Sequence, residues 1–200
     1  DKMFDRVKVS REDILTLRSR KFPVIDTLKG VKMLKDIEKA RDGQESLGGI
    51  IECACVNVPA GVGSPLFEGR ENTVASLVFG IPAVKGIEFG AGFKTAEMVG
   101  SQNNDEPYVD ERGYVLTRTN NHGGILGGIS SGMPITMNVA IKPTPSISQP
   151  QKTVNFSNLE NDTVTVSGRH DPCIVPRAVP CVEAAVNIAV LNHMIDYDNF

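Results

Sequence analysis

Residues 120–141 read N-N-H-G-G-I-L-G-G-I-S-S-G-M-P-I-T-M-N-V-A-I, and the two halves of this stretch follow different rules. Five glycines fall within residues 123–132, leaving too few side chains to pack a core. Glycine admits positive φ and close backbone approach, so this half is a set of tight turns. From Ile135 the pattern changes. Ile135, Met137, Val139 and Ile141 alternate with smaller or more polar residues, the period of a strand buried on one face. The turn-rich half lacks the strand–turn–helix setting and spacing of a dinucleotide fingerprint, and no Lys-Ser/Thr closes it as a Walker A loop.

Working outward, Ser10 and Asp13 pair as a helix N-cap over about residues 11–18. A second helix starts after Asp26, with Leu28, Val31, Leu34, Ile37 and Ala40 at helical spacing, and stops at Asp42-Gly43. Residues 48–58 read as a buried strand, and 72–80 as a helix with Val74, Leu77, Val78 and Ile81 on one face. A strand is expected over 84–89, a helical turn over 94–99 and a strand over 114–119. After Ile141 come a rigid K-P-T-P-S turn, short strands near Val154 and Val164, and a long helix over 176–195. Helices and strands mix without a βαβ rhythm. This predicts an α+β fold, a helical layer packed on an antiparallel sheet. The 200 residues fit one domain or a large piece of one.

The bulk numbers exclude more than they select. A net charge of −3, with 21 Lys and Arg spread along the chain, lacks the basic stripe of a nucleic-acid binder. The most apolar stretch, 174–195, contains Arg177, Glu183, Asn187, Pro176 and Pro180. It reads as a core helix, and no membrane span is expected. Cys53, Cys55, Cys173 and Cys181 are spaced C-x-C and C-x7-C, which matches no zinc pattern. They read as reduced, buried thiols of a cytoplasmic protein. His122, His170 and His193 are too scattered for a metal site. The opening Asp1-Lys2-Met3-Phe4-Asp5 has no targeting character, and a fragment or cleaved product is the expectation.

Three segments have the residue types for chemistry. Exposed backbone N–H groups in 123–132 suit an anion, and a purely structural loop is the alternative. Lys142-Pro143-Thr144-Pro145-Ser146 presents a cation and two hydroxyls on proline-fixed backbone. That suits a phosphate or an isoalloxazine ring, with a plain surface turn as the alternative. Gly168-Arg169-His170-Asp171-Pro172-Cys173 offers a guanidinium fork for an anion and a carboxylate that could cap the helix or act as a base. An Arg169–Asp171 ion pair without catalysis is equally open. Arg177, in the first turn of an apolar helix, needs a partner or a ligand.

The run Ser167 to Ala185, S-G-R-H-D-P-C-I-V-P-R-A-V-P-C-V-E-A-A, resembles the C-terminal signature of the chorismate synthase family. N-N-H-G-G-I-L-G-G-I-S-S-G (120–132), K-P-T-P-S-I (142–147), I-P-A-V-K-G-I-E-F-G (81–90) and G-S-Q-N-N-D-E (100–106) resemble it too, in the family's order over nearly the whole chain. The resemblance implies an anti 1,4-elimination of phosphate from 5-enolpyruvylshikimate 3-phosphate to give chorismate. The cofactor would be reduced FMN (FMNH2), with no net redox change; NADPH is a possible reductant. The flavin would lend electron density as phosphate leaves.

Carried onto this chain, the resemblance places Pro82 and Ala83 at the flavin, through backbone where relatives have Asn at Pro82. It puts Gly127 at a close flavin approach and Lys142, Pro143, Thr144, Pro145 and Ser146 in a flavin-contacting loop. Arg169 would meet flavin and substrate phosphate, and Asp171 would assist proton removal near flavin N5. His170 stands where relatives often have Ser and receives no role. The family fold sandwiches helices between antiparallel sheets in a homotetramer, and residues 1–200 correspond to the C-terminal part of that domain. The N-terminal half, with two histidines, an R-x-S-type segment and most substrate-binding arginines, has no counterpart here. An inactive piece keeping only an assembly surface or an incomplete flavin pocket is the competing expectation.

Overall fold

The structure is a computed structural model and describes residues 5–198. In chain order the elements are α1 (Arg11–Arg18), α2 (Thr27–Asp42), β1 (Gly49–Cys55), α3 (Arg70–Phe79), β2 (Val84–Phe89), α4 (Gly100–Asn103), β3 (Pro107–Val109), β4 (Val115–Thr117), β5 (Ile125–Leu126), β6 (Ile129–Ser130), β7 (Ile135–Ile141), β8 (Gln151–Asn155), β9 (Glu160–Val164) and α5 (Val175–Asp198). A 3-10 turn at Leu66–Glu68 leads into α3, and another at Gly92–Glu97 stands where a helical turn was expected.

Strand β7 lies at the centre of a three-stranded antiparallel sheet in the order β1-β7-β2. Its register pairs Ile51 with Val139 on one side and Ile87 with Val139 on the other. Side chains alternate across a strand, so Ile135, Met137, Val139 and Ile141 share one face, and all four are buried. Helices α3 and α5 supply the facing layer through Val74, Val78, Val182, Val186 and Ala189. Each fully buried aliphatic side chain contributes about 1.5–3 kcal/mol, which makes this single helix-on-sheet layer the main source of cohesion. The α+β architecture agrees with the sequence reading.

The other sheet face is more polar. Asn138 Nδ2 donates to Glu88 Oε1 across the β2–β7 pair at 2.9 Å, and Glu88 Oε2 accepts from Phe93 N. The predicted reciprocal cap of α1 forms: Asp13 N donates to Ser10 Oγ, and Ser10 N donates to Asp13 Oδ2. Asp26 caps α2 by accepting from the N–H groups of Leu28 and Lys29.

One helix face is open, and one expectation about burial needs adjustment. The apolar stripe of α2 does not face the core: Leu28 is 83% exposed, Val31 and Leu34 are also exposed, and only Gly30 and Ala40 of this helix are buried. Nothing among the described residues covers that stripe. Of the four cysteines expected to be buried, Cys181 is exposed and Cys53, Cys55 and Cys173 are half-buried. Residues Val175–Tyr197 of α5 are long and apolar enough to cross a membrane by composition. In this fold one side of the helix packs against α3 and the sheet. The other side leaves Ile188, Leu191 and Ile195 exposed.

Candidate functional site

Strand β7 ends at Ile141, and the chain turns into the Lys142–Ser146 segment. Two neighbours hold the turn. Lys142 N donates to Ala83 O at 2.9 Å, joining the residues ahead of β2 to the start of the turn. Ala83 has a φ of 72°, a left-handed conformation costing an alanine roughly 1–2 kcal/mol; such strain persists where the surroundings enforce it. From the other side, Ser46 Oγ donates to Thr144 O at 2.6 Å. Gln149 Nε2 reaches back to Gly43 O at 2.7 Å.

The segment after α2 thus runs beside the 142–149 stretch, and it also holds the loop ahead of α5. Leu47 N donates to Pro172 O at 2.7 Å, and Leu47 forms a parallel bridge with Cys173. The three segments enclose a cleft of about 420 Å³, lined among others by Arg41, Ser46, Ser146, Arg169, His170 and Asp171. That size falls within the range of small-ligand sites, about 300–1,000 Å³. Of the segments singled out from the sequence, residues 169–171 line the cleft and the 142–146 turn reaches it at Ser146.

Asp171 is held from below. Its Oδ2 accepts from Arg177 Nη1 at 2.9 Å. This corrects the ion pair considered from sequence: the carboxylate pairs with the arginine in the first turn of α5, leaving the exposed Arg169 to line the cleft. The pairing also accounts for Arg177 on an apolar helix. His170 Nε2 lies 3.3 Å from Val166 O and helps close the loop on itself. Within the 142–146 turn, Thr144 Oγ1 is buried and has no hydrogen-bond partner among the described residues. A buried hydroxyl is ordinarily bonded, and Thr144 itself does not line the cleft.

The glycine-rich segment is elsewhere. Gly127 and Gly128 form the tip of the β5–β6 hairpin, with φ of 61° and 88°, as a type I′ turn requires. Gly123 and Gly124 sit against Gly90, Thr136 and Pro134 at the start of β7. Seven residues of β7 separate that end from Lys142, about 20 Å of strand. Gly127 is thus not brought into the cleft, although a Cβ added there would meet nothing within 4 Å, so the space above it is open. Asp105, from the G-S-Q-N-N-D-E run, clamps the segment: its Oδ1 accepts from Asn121 N and Thr119 Oγ1, both at 2.7 Å, and its Oδ2 accepts from His122 N at 3.0 Å.

Near the same end lies a group that the sequence did not single out. Arg70, at the start of α3, is fully buried. Its Nε and Nη2 donate to Val62 O at 3.1 and 2.9 Å, and Nη1 has no partner among the described residues. Desolvation pulls its pKa down, and the Cys55 thiol opposes that shift. Burial pushes Cys55 up, with Arg70 acting against it, and pushes Cys53 to about 12. His193 Nε2 bonds Thr73 Oγ1 at 3.1 Å. Arg70, flanked by Glu68, Gly69, Glu71 and Asn72, gives no sequence signal of its burial.

A family model described as chorismate synthase matches residues 5–195. The chain belongs to the chorismate synthase family. It is 51% identical over 164 residues to the chorismate synthase of Thermococcus gammatolerans and 52% identical over 164 residues to that of Methanothermobacter thermautotrophicus. Each alignment covers 82% of this chain and 46% or 44% of the relative. A crystal structure of chorismate synthase superposes with a TM-score of 0.76 at 28% identity, covering 98% of this chain and 52% of that one. The chain thus spans about half the length of the chorismate synthases it matches.

Proposed function

We propose that this chain forms the C-terminal part of an FMN-dependent chorismate synthase, which eliminates phosphate from 5-enolpyruvylshikimate 3-phosphate. The observation that carries the reading is that the 142–146 turn, through Ser146, and residues 169–171 line one cleft. Reduced FMN, when bound, supplies electron density as the carbon–oxygen bond to phosphate breaks. Lys142, Thr144 and Ser146 would hold it, with Pro143 and Pro145 fixing the backbone and Pro82 and Ala83 contributing main chain. Gly127 would approach the flavin only through a part of the molecule that bridges the length of β7.

Arg169 offers a bidentate fork to phosphate oxygens and would bind the charge that leaves. Asp171 would accept the proton lost from carbon 6, and such base catalysis is worth about 10²–10⁴-fold. Arg177 would keep that carboxylate aimed into the cleft. A homotetramer in the cytoplasm, with NADPH as the source of flavin reduction, belongs to the same proposal. The exposed apolar residues of α2 and of the outer side of α5 support burial of those faces by further protein.

The test is turnover with reduced FMN under anaerobic conditions. For a dianionic phosphate ester the cleft offers two arginines, Arg41 and Arg169, with Lys142 in the adjoining turn, and by itself the 200-residue chain is expected to form little or no chorismate. Joined to the remaining length that its relatives carry, it is expected to release chorismate and phosphate in equal amounts. Absence of product from the joined protein, folded and supplied with FMNH2, would refute the proposal.

A further inference from the structure

We infer that Arg41, in the last turn of α2, is an anion-binding residue of the cleft that acts with Arg169 to hold a phosphate monoester; this rests on the proposed function of that cleft. The two arginines line the same cleft from distant parts of the chain, Arg41 from the end of a helix and Arg169 from the loop ahead of α5. Both are exposed, so their forks are open to a ligand. Arg169 has no ion-pair partner among the described residues. Arg41 Nε donates to its neighbour Asp42 Oδ1 at 3.3 Å, and neither Nη1 nor Nη2 has a partner among the described residues. So exposed a pair holds its members weakly. Two terminal nitrogens of Arg41 therefore remain for an anion.

The end of α2 is fixed against the other walls of the cleft. Ala40 is buried, and Glu45 N folds back to Ala40 O at 2.8 Å. Gly43 O accepts from Gln149 Nε2, Ser46 Oγ donates to Thr144 O, and Leu47 N donates to Pro172 O. The backbone of Arg41 thus has a set position relative to both Ser146 and Arg169. The charge count favours a second arginine. A phosphate monoester carries nearly two negative charges at neutral pH, and a guanidinium fork matches its oxygens. The carboxylates lining the cleft are Asp171, which Arg177 offsets, and Glu45, which repels an anion. Arg169 alone would leave a dianion under-neutralised beside Glu45. Arg41 supplies the missing charge, and Ser146 and Ser148 add hydroxyl donors. Two phosphate monoesters fit this chemistry, that of the flavin and that of the substrate.

The test compares Arg41→Gln, Arg41→Lys and Lys39→Gln with the unsubstituted protein, each carrying its full length. Arg41 is exposed, so the melting temperature should stay nearly unchanged. Inorganic phosphate is titrated without flavin, read by phosphorus NMR line broadening, and FMN and riboflavin are titrated by flavin fluorescence. Arg41→Gln should weaken phosphate about tenfold, for loss of one charge-assisted contact. Arg41→Lys keeps the charge without the fork and should recover part of the loss. Lys39→Gln removes a charge from the same helix turn, away from the cleft lining, and should change affinity less than about twofold. If the flavin supplies the phosphate, FMN weakens about tenfold while riboflavin is untouched. If the substrate supplies it, FMN is unchanged and the KM for 5-enolpyruvylshikimate 3-phosphate rises about tenfold. Phosphate, FMN and KM all unmoved by Arg41→Gln would overturn the assignment. So would equal losses in Arg41→Gln and Lys39→Gln, or equal losses of FMN and riboflavin. Failure of the unsubstituted protein to bind FMN would sink the flavin reading instead, and the phosphate titration would still decide the role of Arg41.

Discussion

Arg177 Nη1 donates to Asp171 Oδ2 at 2.9 Å, so the carboxylate at the cleft is tethered to the first turn of the core helix α5. Both side chains are well exposed, 76% for Arg177 and 40% for Asp171. An exposed pair contributes about 0–1 kcal/mol, and its consequence is therefore orientation more than stability.

Arg177→Met should leave the melting temperature nearly unchanged and lower turnover. Asp171→Asn should lower turnover by about 10²–10⁴-fold, the usual worth of a catalytic base. The double variant should be no worse than Asp171→Asn alone, because residues acting as a unit are non-additive. Steady-state kinetics on the four proteins checks this. Fully additive losses would separate the two residues and leave Asp171 without its proposed orienter.

The secondary structure was legible where the signal was local. Ser10 with Asp13 and Asp26 ahead of α2 are caps formed within a few residues, and both form as read. Strand β7 was legible because its alternation reports burial on one face. Long-range pairings were not. Ser46 meets Thr144 across 98 residues, and nothing in a lone serine announces that. Asp171 pairs six residues ahead with Arg177 rather than two residues back with Arg169, since the helix turn carries Arg177 back over the loop. Separation of the Gly127 hairpin from the cleft follows from the direction of β7, which motif matching cannot show. The exposed stripe of α2 looks like a core stripe in sequence, because periodicity reports a face and not what covers it.

Gly127 and Gly128 sit side by side at one turn, yet substitution should separate them. Both have positive φ, so either Ala costs about 1–2 kcal/mol in backbone strain. At Gly127 the new methyl meets open space; at Gly128 it meets Ser64 O and the Cα of Gly69, adding about 1–3 kcal/mol of overpacking. Thermal melts should therefore rank Gly128→Ala well below Gly127→Ala. FMN titration of Gly127→Ala then tests the close approach: a methyl in that open space should weaken binding if the ligand comes that near, and unchanged affinity would remove Gly127 from the site.

Arg70 and His193 form a buried pair of basic groups with a predictable response to pH. His193 is buried, and burial holds its pKa below the ordinary 6.5, with the charge of Arg70 adding to the depression and Asp196 and Glu68 opposing it. The folded-state value lies below the unfolded one, so below about pH 6.5 the unfolded chain binds a proton that the folded chain refuses. Stability should therefore fall as pH drops from about 6.5 toward the folded-state value, and His193→Gln should flatten that part of the curve. Arg70→Met should shrink the loss, because it removes a nearby positive charge. It should cost little at neutral pH, since Val62 O keeps the hydrogen bond from Ser130 N at 2.9 Å, and replacing a buried charge by an apolar chain of similar volume is often neutral or stabilising. Arg70→Ala leaves a cavity and should cost about 2–4 kcal/mol. Urea unfolding at several pH values distinguishes these outcomes; a stability profile that Arg70→Met leaves untouched would show that the charge of Arg70 does not reach His193.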